Sequence, residues 1–431
     1  HEDKRNFKTI ELNQEFLLDI NDLENDPIMN RFNEYWTSDT KSFVVKASYG
    51  QGKTTLLEKV MDIHNPRKVL IVSFRKSYTY NISERFQKYN FVSYLEEHFC
   101  LAERVIVQGE SLMRIENSFL VNDDVTFAED SEDSDDDFID FETVRQIPKF
   151  DLVVLDEIET SMANFSSPTF KGANRSVFQY LTEICTHANK IIALDGDLSN
   201  RGMTFVKTFG DYICYENKML NHKKEMVICH KRSYFENDMY AQLDTGKRIV
   251  ISSMSSRETE YYHQILSTKY PDKTIHLYNG NSDGNMKEEH FMNVVKYFDM
   301  ADILIYSPTI SSGLDYNKKR FDKLYGIFQD NSCSQRDFLQ MLSRVRHFTS
   351  DEIIILEDNY MKNKNNNWNF YHVKDLVHSY QCLRSEFGKQ LGFAPNITLD
   401  LFTKIILYNE TEKLNKNKSI LCACAGIISK S

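Results

Sequence analysis

Between Ala47 and Thr55 the chain reads Ala-Ser-Tyr-Gly-Gln-Gly-Lys-Thr-Thr, directly after the apolar run Phe43-Val44-Val45 and directly before Leu56-Leu57-Glu58-Lys59-Val60-Met61. Glycines at 50 and 52 let the backbone curl so that successive N–H groups point inward, and the N-terminus of a following helix adds partial positive charge. Such a stretch, a P-loop or Walker A motif, cradles a polyphosphate. Lys53 then reaches the β- and γ-phosphates and Thr54 ligates Mg²⁺, with Ala47, Gly50, Gln51, Gly52 and Thr55 completing the ATP site. Further on, Leu152-Val153-Val154-Leu155 runs into Asp156-Glu157-Ile158-Glu159. An aspartate at the tip of a buried strand can hold Mg²⁺, and the glutamate beside it can polarise the water that attacks the γ-phosphate. An apolar run ending in Asp-Glu is common by itself; downstream of a phosphate loop it becomes a Walker B motif.

Elements of alternating type must hold these groups. Apolar runs predict strands at Phe43–Val45, Val69–Val72, Val105–Gln108, Leu152–Leu155 and Ile191–Leu194, separated by helix-length segments. A second series follows at Arg248–Ile251, Thr274–Leu277, Ile303–Tyr306, Leu324–Phe328 and Ile353–Leu356, without a phosphate loop of its own. Strands alternating with helices give parallel sheets covered on both faces. Polar groups just beyond such strands lie on the ligand-binding edge. They are Arg75, Lys76, Ser77, Ser111 and Arg114 in the first series and Ser253, Ser255 and Thr309 in the second, and they are candidates for gripping a nucleic acid. Each serves equally well as a cap or a solvated group. A helix after Cys333 is expected to carry Gln340-Met341-Leu342-Ser343-Arg344-Val345-Arg346, and packing alone gives little reason for two arginines there.

The fold class that follows is α/β: two tandem domains of parallel sheet flanked by helices, with a small helical C-terminal appendage. The expected boundaries are an N-terminal leader over 1–39, a first domain over 40–224, a second over 225–360 and an extension over 361–431. Modest helical spacing of Phe16, Leu17, Ile20 and Leu23 marks the leader. In the extension, Leu401, Phe402, Ile405 and Ile406 form an apolar stripe that Thr398 could cap, and Lys413, Lys416 and Lys418 read as a solvated face. The first residue is His1, which suggests a fragment of a longer chain or a tag remnant.

The formal charge of −11 has a local origin. Eleven acids and no Lys or Arg lie between Asp123 and Glu142, and the 52 basic residues of the chain meet as many acids elsewhere. The global charge therefore does not argue against a basic groove. The acidic stretch is expected to be an exposed, flexible insertion, either passive or acting as a phosphate-backbone mimic that holds off DNA. No apolar run reaches membrane-spanning length and no signal-peptide pattern opens the chain, so a soluble, reducing compartment and no membrane partner are expected. Eight scattered cysteines include no C-x-x-C pair, and free, mostly buried thiols are expected rather than zinc ligands.

In this order the stretches resemble a superfamily 2 helicase, most of all the helicase module of herpesvirus origin-binding proteins and related proteins of large DNA viruses. The likeness is carried by Ala47 to Thr55, Val72 to Ser77, Val107 to Leu112, Asp156 to Glu159 with Ser166-Ser167-Pro168-Thr169, and Ile192 to Asp195. It continues through Ser252 to Ser255, Gly313-Leu314-Asp315, and Gln340 to Arg346. The resemblance implies two RecA-like domains with ATP and Mg²⁺ between them, and a helicase or translocase of DNA replication that moves 3′ to 5′ on single-stranded or forked DNA. It further implies that Gly313 and Asp315 line the nucleotide, that Gln340, Arg344 and Arg346 join Lys53 and Glu157 in catalysis, and that partners include a primase or other replication proteins. If the protein is viral, it would act in host cytoplasm or nucleus at replication sites.

The sequence departs from the pattern in three places. Asp195-Gly196-Asp197 stands where an Asp-Ala-Thr or Ser-Ala-Thr coupling motif is usual, Ser343 replaces a glycine, and Arg346 follows Arg344 by two residues rather than three. The competing readings are a DNA-stimulated ATPase that clamps or remodels DNA without unwinding it and, more remotely, a P-loop small-molecule kinase or signalling NTPase.

Overall fold

The computed structural model describes residues 7–48, 50–73, 76–115, 147–219, 224–310, 314, 316–329, 333–357, 371–390 and 399–415. Arg75, Gly313, Asp315, Thr398, Lys416, Lys418 and the acidic stretch 123–142 lie outside the described residues, as do the side chains of Lys76 and Ser77.

The apolar runs form two sheets in which every pairing among the described residues is parallel. The first sheet contains β1 (Phe7–Leu12), β2 (Ser42–Lys46), β3 (Val69–Ser73), β4 (Val92–Ser93), β5 (Arg104–Gln108), β6 (Leu152–Asp156), β7 (Lys190–Asp195) and β8 (Tyr212–Asn217), in spatial order β1-β8-β2-β7-β6-β3-β5-β4. Its helices are α1 (Pro27–Thr37), α2 (Lys53–His64), α3 (Lys76–Phe86), α4 (Ile158–Asn164), α5 (Asn174–His187) and α6 (Asn200–Val206). The second sheet contains β9 (Glu225–Cys229), β10 (Ile249–Ser253), β11 (Ile275–Tyr278), β12 (Ile303–Tyr306), β13 (Lys323–Phe328) and β14 (Glu352–Glu357), ordered β11-β12-β10-β13-β14-β9. It is flanked by α7 (Arg232–Asp244), α8 (Ser256–Lys269), α9 (Gly284–Met292), α10 (Val294–Met300) and α11 (Gln335–Leu342), and α12 (Val373–Gln390) and α13 (Leu401–Asn415) follow. These are two tandem RecA-like domains with a helical C-terminal appendage.

Every strand expected from the sequence forms, with its ends shifted by a residue or two. Successive side chains alternate between the two faces of each sheet, as the pleat requires. Val44 enters one core of the first sheet while Phe43 and Val45 enter the other. Val250 and Ile251 divide in the same way between the two cores of the second.

The register places the chemistry. Strand β7 lies between β2 and β6, with Lys46 opposite Asp195 and Asp156 opposite Leu194. The tips that carry the phosphate loop, Asp195 and Asp156 are therefore neighbours on one edge.

The leader and the tail differ from expectation. Residues 14–26 form turns rather than a helix, and Phe16 and Ile20 are exposed, so their spacing did not mark a buried face. The helix starts at Pro27, where Asp26 accepts N–H bonds from Ile28 and Met29 at 2.9 Å each, and proline sits in the first turn, where its missing N–H costs nothing. Upstream of it, β1 pairs with β8 as an edge strand of the first sheet. In the tail, Asp400 caps α13 by accepting the Thr403 N–H at 2.7 Å. Lys413 pairs with Glu410 on an exposed face. Among the described cysteines, Cys185, Cys214 and Cys229 are buried, whereas Cys100, Cys333 and Cys382 are not. No helix among the described residues is long and apolar enough to cross a membrane.

Candidate nucleotide site between the two sheets

The loop after β2 has the backbone that its glycines allow. Gly50 and Gly52 take φ of 81° and 92°, the left-handed region, and α2 starts at Lys53 with no side chain capping its first turn. The N–H groups of that first turn point back toward the loop. Lys53 is buried, and its Nζ donates to the Ala47 carbonyl at 2.7 Å and to that of Ser48 at 3.4 Å, so the ammonium is held inside the loop. Gln51 is pinned from two directions. Its carbonyl accepts the Leu17 N–H at 2.8 Å, and its Nε2 donates to the Met219 carbonyl at 2.7 Å. Gln51 therefore ties the loop to the N-terminal segment and to the chain leaving the first sheet. Thr54 is half-buried at the start of α2, and Thr55 accepts from Arg85 at 3.2 Å.

Asp156 ends β6, buried, and accepts the N–H of Glu157 at 2.9 Å. Glu157 has φ 50° and ψ 51°, a left-handed conformation unusual for a non-glycine and a form of strain that gathers at functional sites. Asp195 is fully buried beside it, with Oδ2 on the Glu159 N–H (2.8 Å) and Oδ1 on the Asp197 N–H (2.7 Å). Burial, with Glu157 and Glu159 close by, pushes its carboxyl up to about 7. Glu159, also fully buried, behaves oppositely. Burial would raise it, but the Arg201 and Arg336 guanidiniums and the Ser199 and Gly202 amides hold it below the usual carboxylate range.

The second sheet brings arginines to this edge. Helix α11 ends at Leu342, so Arg344 and Arg346 lie beyond it and not on it. Past Ser343 the chain extends and Val345 bridges Tyr316, with Tyr316 N–H on the Arg344 carbonyl (2.9 Å) and Arg346 N–H on the Tyr316 carbonyl (3.1 Å). In extended chain, alternate residues share a side. Val345 enters the core and the two arginines take the other face, which accounts for their spacing of two. Arg346 lies against the phosphate loop: a Cβ added to Gly50 would stand 2.6 Å from its Nη1. A side chain there would displace the guanidinium and would also strain a backbone at φ 81°. Two residues before the helix end, Gln340 is 2 % exposed, and neither its Nε2 nor its Oε1 has a hydrogen-bond partner among the described residues.

The nucleic-acid candidates divide. Ser253 and Ser255 are used locally, Ser253 accepting the Ser255 N–H at 3.1 Å and Ser255 capping α8. Thr309 pairs with Ser307, and Arg114 stacks over Phe99 while donating to the Tyr94 carbonyl at 2.9 Å. Ser111 sits in the turn after β5. All of them lie at or beyond the C-terminal ends of their strands.

Sequence reasoning missed a set of buried charges at the same edge. Arg201 donates from Nε to Glu159 at 3.0 Å and from Nη1 to Glu412 at 2.6 Å and Asn409 at 2.8 Å, with Arg336 of α11 beside them. Their signal in the sequence is weak, since each is a charged residue on a different helix.

The sequence model of the origin of replication binding protein family matches residues 25–130. Two proteins of Acanthamoeba polyphaga mimivirus are similar over nearly the whole chain. One, provisionally named a helicase, is 28% identical over 92% of this chain and 39% of its own length. The other, provisionally named a replication origin-binding protein, is 29% identical over 95% of this chain and 52% of its own length. A provisionally named helicase/primase complex protein of African swine fever virus is 31% identical over 72% of this chain and 28% of its own length. The chain thus spans about half or less of the curated relatives it matches. Among solved structures, the DEAD-box helicase Mss116 bound to single-stranded RNA and UDP-BeF superposes with a TM-score of 0.54 at 13% identity, over 95% of this chain and 94% of that one. That likeness establishes the fold. By sequence, then, the chain is similar to the herpesvirus origin-binding proteins and to helicase-named relatives in large DNA viruses.

Proposed function

We propose that this chain is an ATP-driven DNA helicase or translocase of viral-type replication, moving 3′ to 5′ on single-stranded DNA. The observation that carries the reading is Arg346 of the second sheet lying over Gly50 of the first sheet's phosphate loop. An arginine so placed can stabilise charge on a transferring phosphoryl group, and closure of the cleft can then change the grip on a strand lying across both sheets. The residues present fit a nucleotide. Gly50 lets the loop pass close under Arg346, α2 begins without a side-chain cap, and the buried amide of Gln340 is orphaned among the described residues. Gly313 and Asp315 complete this assignment from the sequence pattern.

Lys53 would exchange its loop carbonyls for phosphate oxygens, Glu157 would take the proton of the attacking water, and Arg344 and Arg346 would meet the charge that develops. Thr54 and Asp156 would hold Mg²⁺, which neutralises charge on the phosphates when bound. Arg75, Lys76, Ser77, Ser111, Arg114, Ser253, Ser255 and Thr309 mark the edge along which a strand would run, through backbone groups wherever their side chains already serve as caps.

The test is ATPase rate with and without single-stranded DNA, single-stranded RNA and duplex, beside unwinding of a forked duplex. Stimulation by single-stranded DNA with strand separation supports the proposal. Stimulation without separation selects the clamping ATPase, a reading favoured by the charged pairings that occupy the Asp195–Asp197 coupling stretch. Phosphate passed to a small acceptor would indicate a kinase instead.

A further inference from the structure

The C-terminal helix α13 lies across both sheets. Ile405 is buried in a core of the first, with Leu401 and Phe402 packed against it, and Asn409 donates to the Met162 carbonyl (3.0 Å) and to Ser166 (2.8 Å). At its far end Asn415 accepts from Gln335 of α11 at 3.1 Å, so the same helix touches the second sheet's arginine-bearing segment. Between these contacts sits Arg336. Its Nη1 donates to the Asp197 carbonyl and stands 3.3 Å from the Asp197 carboxylate. The same atom is 3.9 Å from Glu159, and its Nε is 3.9 Å from Glu412. Ion pairs form at that distance, but hydrogen bonds need an approach closer by about 1 Å. Nε, buried, has no hydrogen-bond partner among the described residues. The Arg336 guanidinium is therefore one small movement short of seating between two carboxylates.

Resting on the function proposed above, we infer that Arg336 is a positioning residue: it seats between Glu159 and Glu412 as the cleft closes, and so sets the register of the segment bearing Gln340, Arg344 and Arg346. Arg336 stands one helical turn before Gln340, and its acceptors belong to the Walker B helix and to α13. The movement that brings its Nε and Nη1 into hydrogen-bonding range also shifts Gln340 and Arg344 relative to the phosphate loop, against which Arg346 already lies. By this account α13, through Glu412, is part of the motor, and Arg336 takes up the coupling that the altered Asp195-Gly196-Asp197 stretch would otherwise supply. Arg201, bonded to both Glu159 and Glu412, holds those two carboxylates in place to receive it.

The experiment compares the parent chain with Arg336→Ala, Arg336→Lys and Glu412→Gln. It reads thermal unfolding, kcat and KM for ATP, and domain closure by a dye pair, one on each sheet, on adding a non-hydrolysable ATP analogue with Mg²⁺. Arg336→Ala should lower kcat by about 10- to 100-fold with KM within about 3-fold, abolish the closure signal, and recover part of its kcat when free guanidinium is supplied. Glu412→Gln should lower kcat several-fold in the same pattern. Arg336→Lys, which keeps the charge and loses the fork, should fall between them and carries the test if the alanine variant does not fold. Folded variants that close and turn over like the parent overturn the inference. A parent that binds no nucleotide overturns the functional reading itself.

Discussion

The C-terminal edges of the two sheets are built from similar strands and treat polar groups in opposite ways. In the first sheet the edge accumulates strain and buried charge: two left-handed glycines, a left-handed Glu157, and Asp195 and Glu159 with no exposure at all. In the second, the corresponding serines and threonine settle into caps and local pairs, and what reaches across the cleft is an extended segment bearing arginines. A site for chemistry must be preorganised before the substrate arrives, so its cost is met continuously by the fold. A site for leverage can be quiet until it is moved.

That contrast predicts that damage to the first edge removes nucleotide binding or the proton transfer itself, whereas damage to the second lowers turnover with little change in affinity. Lys53→Ala removes the loop's one cationic side chain and should abolish ATP hydrolysis, with nucleotide affinity greatly weakened in an equilibrium binding measurement. Glu157→Gln should separate the two effects. The amide preserves shape but accepts no proton, so binding is retained while turnover falls by about two to three orders of magnitude. Hydrolysis near the parent rate in that variant would remove Glu157 as the base.

On the second edge, Arg346→Ala should lower kcat by about 10³-fold with affinity changed only a few-fold, because the group acts mainly on the transition state. Arg344, which is buried, should cost less, about 10- to 100-fold on the same scale. Single-turnover kinetics would rank the pair. Equal activity in both variants and the parent would end the assignment of these arginines to catalysis, and a larger loss at Arg344 would reverse their roles.

Much of this was legible in the sequence because strand and loop signals are local. The phosphate loop, the Walker B acids and all ten expected strands rest on runs of a few residues. Missed were strands that are short, alternate in polarity or have polar flanks: Phe7–Leu12 and Val92–Ser93 at the two edges of the first sheet, Tyr212–Asn217 and Glu225–Cys229. The helix spacing of 16–23 misled because Leu17 is held down by a bond to Gln51 rather than by a helical face. The arginine segment was placed on a helix because nothing in Ser343 to Arg346 announces the bridge to Tyr316, a partner distant in sequence. Glu159, Arg201, Arg336 and Glu412 come from four separated stretches, and no spacing rule joins them.

The smallest expected effect tests the converse of the comparison, that unpaired burial of charge is avoided near the active edge and tolerated away from it. Lys224, at the entrance to β9, sits over the Phe348 ring at 4.7 Å. Burial lowers its ammonium to about 8, and attraction to Asp351 offsets only part of that. Between about pH 8 and the ordinary lysine range the folded protein holds fewer protons on this group than the unfolded chain does, so stability rises with pH across that window. Below pH 8 the penalty is present in full. Lys224→Met keeps the packing against the ring and removes the charge. It should raise unfolding free energy at pH 7 by on the order of 1 kcal/mol once partial solvent exposure is allowed for. The advantage should shrink as pH rises past about 8 and approach zero only above the ordinary lysine range, where the parent lysine is neutral in both states. Denaturant unfolding of parent and variant at pH 7 and pH 10 reads the difference directly. A gain that does not depend on pH would mean that methionine simply packs better, and that the half-buried ammonium costs the second domain nothing.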